Sequence, residues 1–186
     1  KTIGDVLSTI DLNSPLVHSF EIRADYLDEE AYDRIGEIRG RTDRRLIFTA
    51  RKRQDGGRWT GSEKLRGELY ERAREAAFDY IDLEIDALPG VKGNGTTTVI
   101  RSYHDMERVP PDILEKYVMA RTDPDEIPKI AVTLKSPADV LRFLGWNRLV
   151  RGMGSRKKIV TAMGPKGEFS RILGKRLGTM HTYVSA

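Results

Sequence analysis

No cysteine occurs among the 186 residues. Disulfide scaffolds, thiolate nucleophiles and zinc–thiolate sites are therefore excluded. Long hydrophobic runs are also missing. The apolar stretches last only a few residues, well short of the ~20 that a membrane-spanning helix needs. No charged-then-apolar leader opens the chain, so a cytoplasmic setting without a membrane partner is expected. Charge of one sign is scarcely in excess. Lys and Arg number 32 against 28 Asp and Glu, a formal net charge of +4 that is spread along the chain. Nucleic-acid binding draws on a clustered basic face, so no nucleic-acid partner is expected. The same arginines would suit a small anionic substrate. His18 and His181 show no local ligand spacing and no HxxxH pattern exists, so no metal site is expected.

What the sequence does contain is alternation. Short runs rich in Ile, Val, Phe or Tyr predict strands at Val17–Arg23, Leu46–Arg51, Tyr80–Glu84, Thr97–Tyr103, Pro128–Val132, Lys158–Ala162 and His181–Tyr183. Helical patterns fill several of the gaps. Ile3, Leu7 and Ile10 fit one helical face. Leu65, Leu69, Ala73 and Ala76 or Ala77 recur at helical spacing, with Arg and Glu on the other face. Ser136-Pro137 combines a capping serine with a proline at the first helical position, and Ser170 to Leu177 reads as a short helix. Between Glu84 and Thr97, Pro89, Gly90, Gly93 and Gly95 predict a loop or a stunted helix. Gly152-Met153-Gly154 and Gly164-Pro165-Lys166-Gly167 are not phosphate-binding fingerprints, and turn formation accounts better for the first. Strands alternating with helices imply βαβ units and a parallel sheet in a single domain, 1–186. Periodicity leaves both an incomplete (β/α)8 barrel and an open doubly wound sheet in play.

Polar residues gather where the predicted strands end. Glu21 and Arg23 close the first, Arg51 the second, and Asp82 and Glu84 the third; Ser102, Tyr103, His104 and Asp105 follow the fourth. Met163 follows the sixth. In a parallel barrel those ends converge on the mouth where catalytic groups lie. Lys129 sits inside the fifth strand between Pro128 and Ile130-Ala131-Val132. An amine in a low-dielectric site has its pKa pushed down and can attack a ketone to form an imine. A strand-edge lysine facing solvent is the commoner role for such a residue. His104 is placed to abstract and return protons, although a structural histidine is again the commoner case. Arg23, Arg51 and Arg171 could fork a carboxylate or form surface ion pairs.

These residues together resemble type I 3-dehydroquinate dehydratase. The segments run in the family's order: Glu21-Ile22-Arg23-Ala24-Asp25, Phe48-Thr49-Ala50-Arg51 with Asp55-Gly56-Gly57, and Asp79-Tyr80-Ile81-Asp82-Leu83-Glu84. Ser102-Tyr103-His104-Asp105, Lys129-Ile130-Ala131, Met163-Gly164, and Gly167 with Ser170-Arg171 follow. The resemblance implies an α/β fold of the (β/α)8 TIM-barrel type and dehydration of 3-dehydroquinate to 3-dehydroshikimate in the shikimate pathway. It implies Lys129 as the imine-forming nucleophile, His104 as general acid and base, and Asp55 as the carboxylate that orients the histidine; many members carry glutamate at that position. Glu21, Arg23, Arg51 and Arg171 would hold the substrate's hydroxyls and carboxylate, and Met163 would line the pocket. No cofactor is implied. A homodimer and a fusion to shikimate dehydrogenase are both arrangements the family allows.

Against the family pattern, the first barrel strand, the loop over the substrate and the C-terminal helix are not in the chain. The expectation is therefore a barrel domain incomplete at both ends, belonging to a longer natural chain and poorly stable or poorly active alone. Two other functions remain open from the residues: a class I aldolase-type Schiff-base barrel, and a non-catalytic carboxylate-binding relative.

Overall fold

The computed structural model describes residues 1–88, 90–121, 123–154 and 157–184. Pro89, expected in a turn, lies outside the described residues. The chain divides into two compact units, one formed by Lys1–Ile100 and the other from Arg101 onward.

The first unit opens with α1 (Ile3–Asn13), started by a reciprocal cap. Thr2 Oγ1 accepts from the Asp5 N–H, and the Asp5 carboxylate accepts from the Thr2 N–H. Ile3 and Ile10 are buried, as the helical spacing predicted. β1 (Ser19–Arg23), β2 (Arg45–Thr49) and β3 (Tyr80–Glu84) then pair in parallel and in sequence order. Between them come α2 (Ile35–Arg41) and α3 (Glu63–Glu75), the latter capped by the Ser62 hydroxyl. The core is built from alternate strand residues and the helix faces. Phe48 lies at its centre, edge-on to Tyr70 and Phe78 at centroid distances of 5.5 and 5.8 Å. Each fully buried side chain of this size contributes roughly 1.5–3 kcal/mol.

One predicted face is corrected here. The buried residues of α3 are Arg66, Leu69, Tyr70 and Ala73. Arg66 is therefore a member of the inward stripe and not of the solvent face. Its burial is possible because it meets a carboxylate inside, as described below. The segment from Glu84 to Thr97 forms turns without a helix among its described residues. Leu88 takes a left-handed φ of 44°, and Asn94 Oδ1 accepts from the N–H groups of Thr96 and Thr97.

β4 (Thr98–Asp105) leads into the second unit, which continues with α4 (Ile113–Met119), β5 (Ile127–Thr133), α5 (Pro137–Gly152) and β6 (Ile159–Met163). β5 and β6 pair in parallel, with Lys129 opposite Ile159 and Thr133 opposite Met163. Ser136 and Asp139 form the helix-starting box that Ser136-Pro137 predicted. The second core joins Ile130, Val132, Val160 and Ala162 to Phe143, Trp146 and Val150 of α5. The predicted helix at 170–177 is two short pieces, α6 (Phe169–Ile172) and α7 (Gly174–Leu177).

Residues 181–183 do not form the predicted strand. Side chains engage their carbonyls: Thr179 Oγ1 donates to His181 O (2.9 Å) and Arg171 Nε to Tyr183 O (3.1 Å). Along β6, the Val160 N–H donates to Thr179 Oγ1 and the Ala162 N–H to Ser170 Oγ, each at 3.1 Å. The Ser170 hydroxyl donates back to the Ala162 carbonyl. Gly167 lets this turn close on the strand, since a Cβ there would sit 2.5 Å from the Ala162 backbone. No helix among the described residues is long and apolar enough to cross a membrane.

Candidate active site

In the first unit, a buried charge network forms beyond the end of β2. Asp82 and Glu84 alternate with Ile81 and Leu83 on β3, so both carboxylates share one strand face. Arg51, two residues past β2, donates to Asp82 Oδ1 at 2.6 Å and lies 3.5 Å from Glu84 Oε1. Burial opposes the charge on Arg51, yet Asp82 and Glu84 outweigh it and hold the guanidinium protonated above its ordinary range. Arg66, fully buried on α3, donates to Glu84 Oε2 at 2.6 Å, to Ala50 O at 3.2 Å and to Glu63 Oε2 at 2.8 Å. Tyr70 closes the set: its hydroxyl donates to Asp82 O and accepts from the Ala50 N–H.

Glu21 and Arg23 occupy the face of β1 opposite buried Phe20 and Ile22. Glu21 accepts from Thr49 Oγ1 at 2.8 Å. Arg23 makes a two-point pair with Asp25 at 2.8 and 2.7 Å. The Asp25 side chain is fully enclosed, and it also accepts from the backbone N–H groups of Arg51 (3.3 Å) and Arg58 (2.9 Å). Asp25 thus ties both ends of the segment that carries Asp55. That segment turns through Gly56 at φ 80° and passes Gly57 against Arg51, where a Cβ would lie 2.1 Å from the Arg51 carbonyl oxygen.

Asp55 is half-buried, and its Oδ2 has no hydrogen-bond partner among the described residues. Burial first, then the nearby Glu84 carboxylate, push its carboxyl up to about 6; Arg51 offsets part of this. The native state therefore holds this proton more tightly than an unfolded chain with the ordinary value of 3.8. Its stabilising contribution is complete below about pH 4 and is lost as pH rises through about 6. Asp55→Asn should flatten that slope and be at least as stable as the parent at pH 7. Urea midpoints measured from pH 4 to 8 check this, and parallel curves for the two proteins would contradict it.

In the second unit, Tyr103 packs on the helix-side core, so Ser102 and His104 turn to the opposite strand face. His104 lies within β4 as its penultimate residue and not beyond its end. Ile130 and Val132 occupy the helix side of β5, which sends Lys129 to that same opposite face. Lys129 is 5% exposed, so it is not a solvent-facing strand lysine. Its Nζ sits 4.3 Å from the centroid of the Tyr183 ring. Met163, the last residue of β6, shares the face, because Val160 and Ala162 take the other. Arg171 lies exposed on α6 and reaches this group only through its bond to the Tyr183 carbonyl. Ser170 serves the backbone of β6. Among the described residues no group of three or more acidic or histidine side chains could hold a metal ion.

Asp25, Arg66 and Tyr183 carry roles in these arrangements that the sequence reading did not assign. A signal existed for Arg66: positions 66, 69, 70 and 73 follow the i, i+3, i+4, i+7 rule of an inward stripe.

Residues 1–186 match the sequence model of the family described as Type I 3-dehydroquinase. The 3-dehydroquinate dehydratase of Pyrobaculum aerophilum is 33% identical over 178 residues, covering 91% of this chain. The chain spans 56% of the length of that relative. The 3-dehydroquinate dehydratase of Coxiella burnetii is 25% identical over 189 residues, which cover 100% of this chain and 80% of that protein. Among solved structures, the 3-dehydroquinate dehydratase of Enterococcus faecalis superposes with a TM-score of 0.84 at 24% identity, over 97% of this chain and 83% of that one. The enzyme of the same name from Geobacillus kaustophilus gives 0.80 at 24% identity, over 97% and 79%. The fold is α/β of the (β/α)-barrel class, as the resemblance implied. A match along the whole length, with Lys129, His104 and Met163 on one strand face, places this chain in the type I 3-dehydroquinase family.

Proposed function

We propose that this protein dehydrates 3-dehydroquinate to 3-dehydroshikimate through an imine on Lys129. The observation that carries the proposal is a primary amine nine-tenths buried in the middle of β5, on the strand face that His104 also occupies. In the proposed reaction the Lys129 amine adds to the substrate ketone and water leaves, giving an iminium. Electrons from the neighbouring C–H bond flow into that iminium as His104 takes the proton. The resulting enamine expels the adjacent hydroxyl, which leaves as water with the proton His104 returns. Hydrolysis of the product imine restores the amine.

The remaining roles belong to the same proposal. Asp55, ionised above about pH 6, is the carboxylate assigned to orient His104. Glu21, Arg23, Arg51 and Arg171 are assigned to the substrate's hydroxyls and carboxylate, and Met163 to the pocket wall. The buried partners of Arg51 and Arg23 support roles for these residues as preset cations, because each guanidinium is already aimed by a two-point or two-acid contact. The location proposed is the cytoplasm and the pathway aromatic amino-acid biosynthesis; homodimerisation and fusion to shikimate dehydrogenase are compatible with this reading.

Borohydride reduction in the presence of 3-dehydroquinate tests it. A ligand-sized mass gain on the peptide containing Lys129, absent without substrate, is expected. An adduct on another lysine would refute the nucleophile. No adduct together with tight substrate binding would instead support a carboxylate-binding relative.

A further inference from the structure

Asp25 is not among the residues assigned to the substrate or to proton transfer, yet its carboxylate is fully enclosed and filled with donors. It sits in the turn Ala24–Tyr26 that follows β1. Oδ1 accepts from Arg23 Nε at 2.8 Å and from the Arg51 N–H at 3.3 Å. Oδ2 accepts from Arg23 Nη2 at 2.7 Å and from the Arg58 N–H at 2.9 Å. These donors take up the roughly four lone-pair sites of an ionised carboxylate. Each oxygen thus holds one nitrogen of Arg23 and one amide of the segment from Arg51 to Arg58.

That segment is a loop closed at its neck. The Gly57 N–H donates to Lys52 O at 2.9 Å and the Trp59 N–H to Arg51 O at 3.0 Å. Asp55 ends the short turn Arg53–Asp55 inside it. A loop closed on itself goes where its neck is held, and Asp25 holds the neck on both sides. Tyr26 extends the fastening: the Arg23 and Arg58 guanidinium groups lie over its ring at 4.9 and 4.5 Å. The Arg23 side chain is 31% exposed, so it has room to swing once released. The position of Asp55 also sets its charge, through burial, Glu84 and Asp86, with Arg51 and Lys52 opposing.

We propose that Asp25 is a positioning residue whose two oxygens couple the aim of Arg23 to the placement of the loop that carries Asp55. The substrate role of Arg23 comes from the dehydration proposed above, and the inference rests on that reading to this extent.

Asp25→Asn tests the coupling at almost unchanged volume. Whichever way the amide turns, its NH2 faces one Arg23 nitrogen and one loop N–H, so both arms lose an acceptor together. The Asp55 carboxyl, followed by its carboxyl-carbon NMR shift and assigned with Asp55→Asn, should fall from about 6 toward 3.8 as water reaches the released loop. The Kd for 3-dehydroquinate should rise about ten-fold, the size of one charge-assisted hydrogen bond. It is measured by calorimetry in the Lys129→Met background, where no imine can form on that residue. Ile38→Val, fully buried in α2, also loosens the unit but should move neither readout. An Asp55 titration unmoved by Asp25→Asn would overturn the proposal, as would equal changes in Ile38→Val, which would mean general loosening. Movement of one readout without the other would refute the coupling. Should Asp25→Asn fail to fold, Tyr26→Leu takes its place: smaller changes in both readouts support the proposal, and none overturns it. Neither readout needs turnover, so a parent that borohydride leaves unmarked on Lys129 would sink the imine alone.

Discussion

Replacing Lys129 by Met should reduce turnover of 3-dehydroquinate by roughly 10³-fold or more while the protein still folds. Methionine matches the length of the lysine stem and asks nothing of the buried strand face. The 5% exposure of Lys129 means that its ammonium is held away from water, with the Tyr183 ring as a neighbour at 4.3 Å. Losing the amine removes the only group on that face of β5 able to make the imine; Ala131 and Thr133 share the face and cannot. Substrate binding should persist, because the arginines and acids assigned to the hydroxyls and carboxylate are untouched. Steady-state kinetics and calorimetric binding on the same preparation separate the two effects. Turnover within about ten-fold of the parent would remove Lys129 from the chemistry.

The second large effect concerns stability. Arg66→Met should cost about 3–5 kcal/mol, because it takes from the buried Glu84 carboxylate a guanidinium that donates to it at 2.6 Å. For a chain of this size that amounts to a fall of roughly 10 °C in melting temperature. The paired variant Arg66→Met/Glu84→Gln should recover more than half of the loss, since the buried charge that lost its 2.6 Å partner is then gone. It should also lower the Asp55 carboxyl toward its ordinary value, because Glu84 is one of the groups that raise it. Thermal melts of the three proteins, with the pH dependence of each, measure both consequences. A single variant that melts within 2–3 °C of the parent would show that the Arg66–Glu84 contact does not anchor this unit.

Residues whose chemistry matched their local pattern were legible in the sequence. Tyr80–Glu84 was bounded correctly because apolar Ile81 and Leu83 alternate with Asp82 and Glu84 directly after a turn. Ser136-Pro137 announced its helix through a cap that works within four residues. The placement of Lys129 followed from its apolar neighbours. Arg66 was misplaced because hydropathy gives an arginine no reason to turn inward; its reason is Glu84, eighteen residues on. Asp25 was visible as a letter in a motif, but its hold on Arg51 and Arg58 depends on a segment that begins twenty-six residues later. Residues 181–183 have strand-forming side chains, yet Thr179 and Arg171 engage two of their carbonyls. Tertiary partners decided each of these cases, and a local window cannot contain them.

The hydroxyls of Thr179 and Ser170 have a consequence for solution behaviour. Met163 O accepts from Leu134, on the β5 side, so the alternate residues Val160 and Ala162 direct their N–H groups the other way. An uncommitted row of amides there would recruit strands from neighbouring molecules and seed aggregation. Thr179 and Ser170 occupy those amides within the same chain, at 3.1 Å each. Two small side chains thereby help keep the protein from polymerising through this flank of β6.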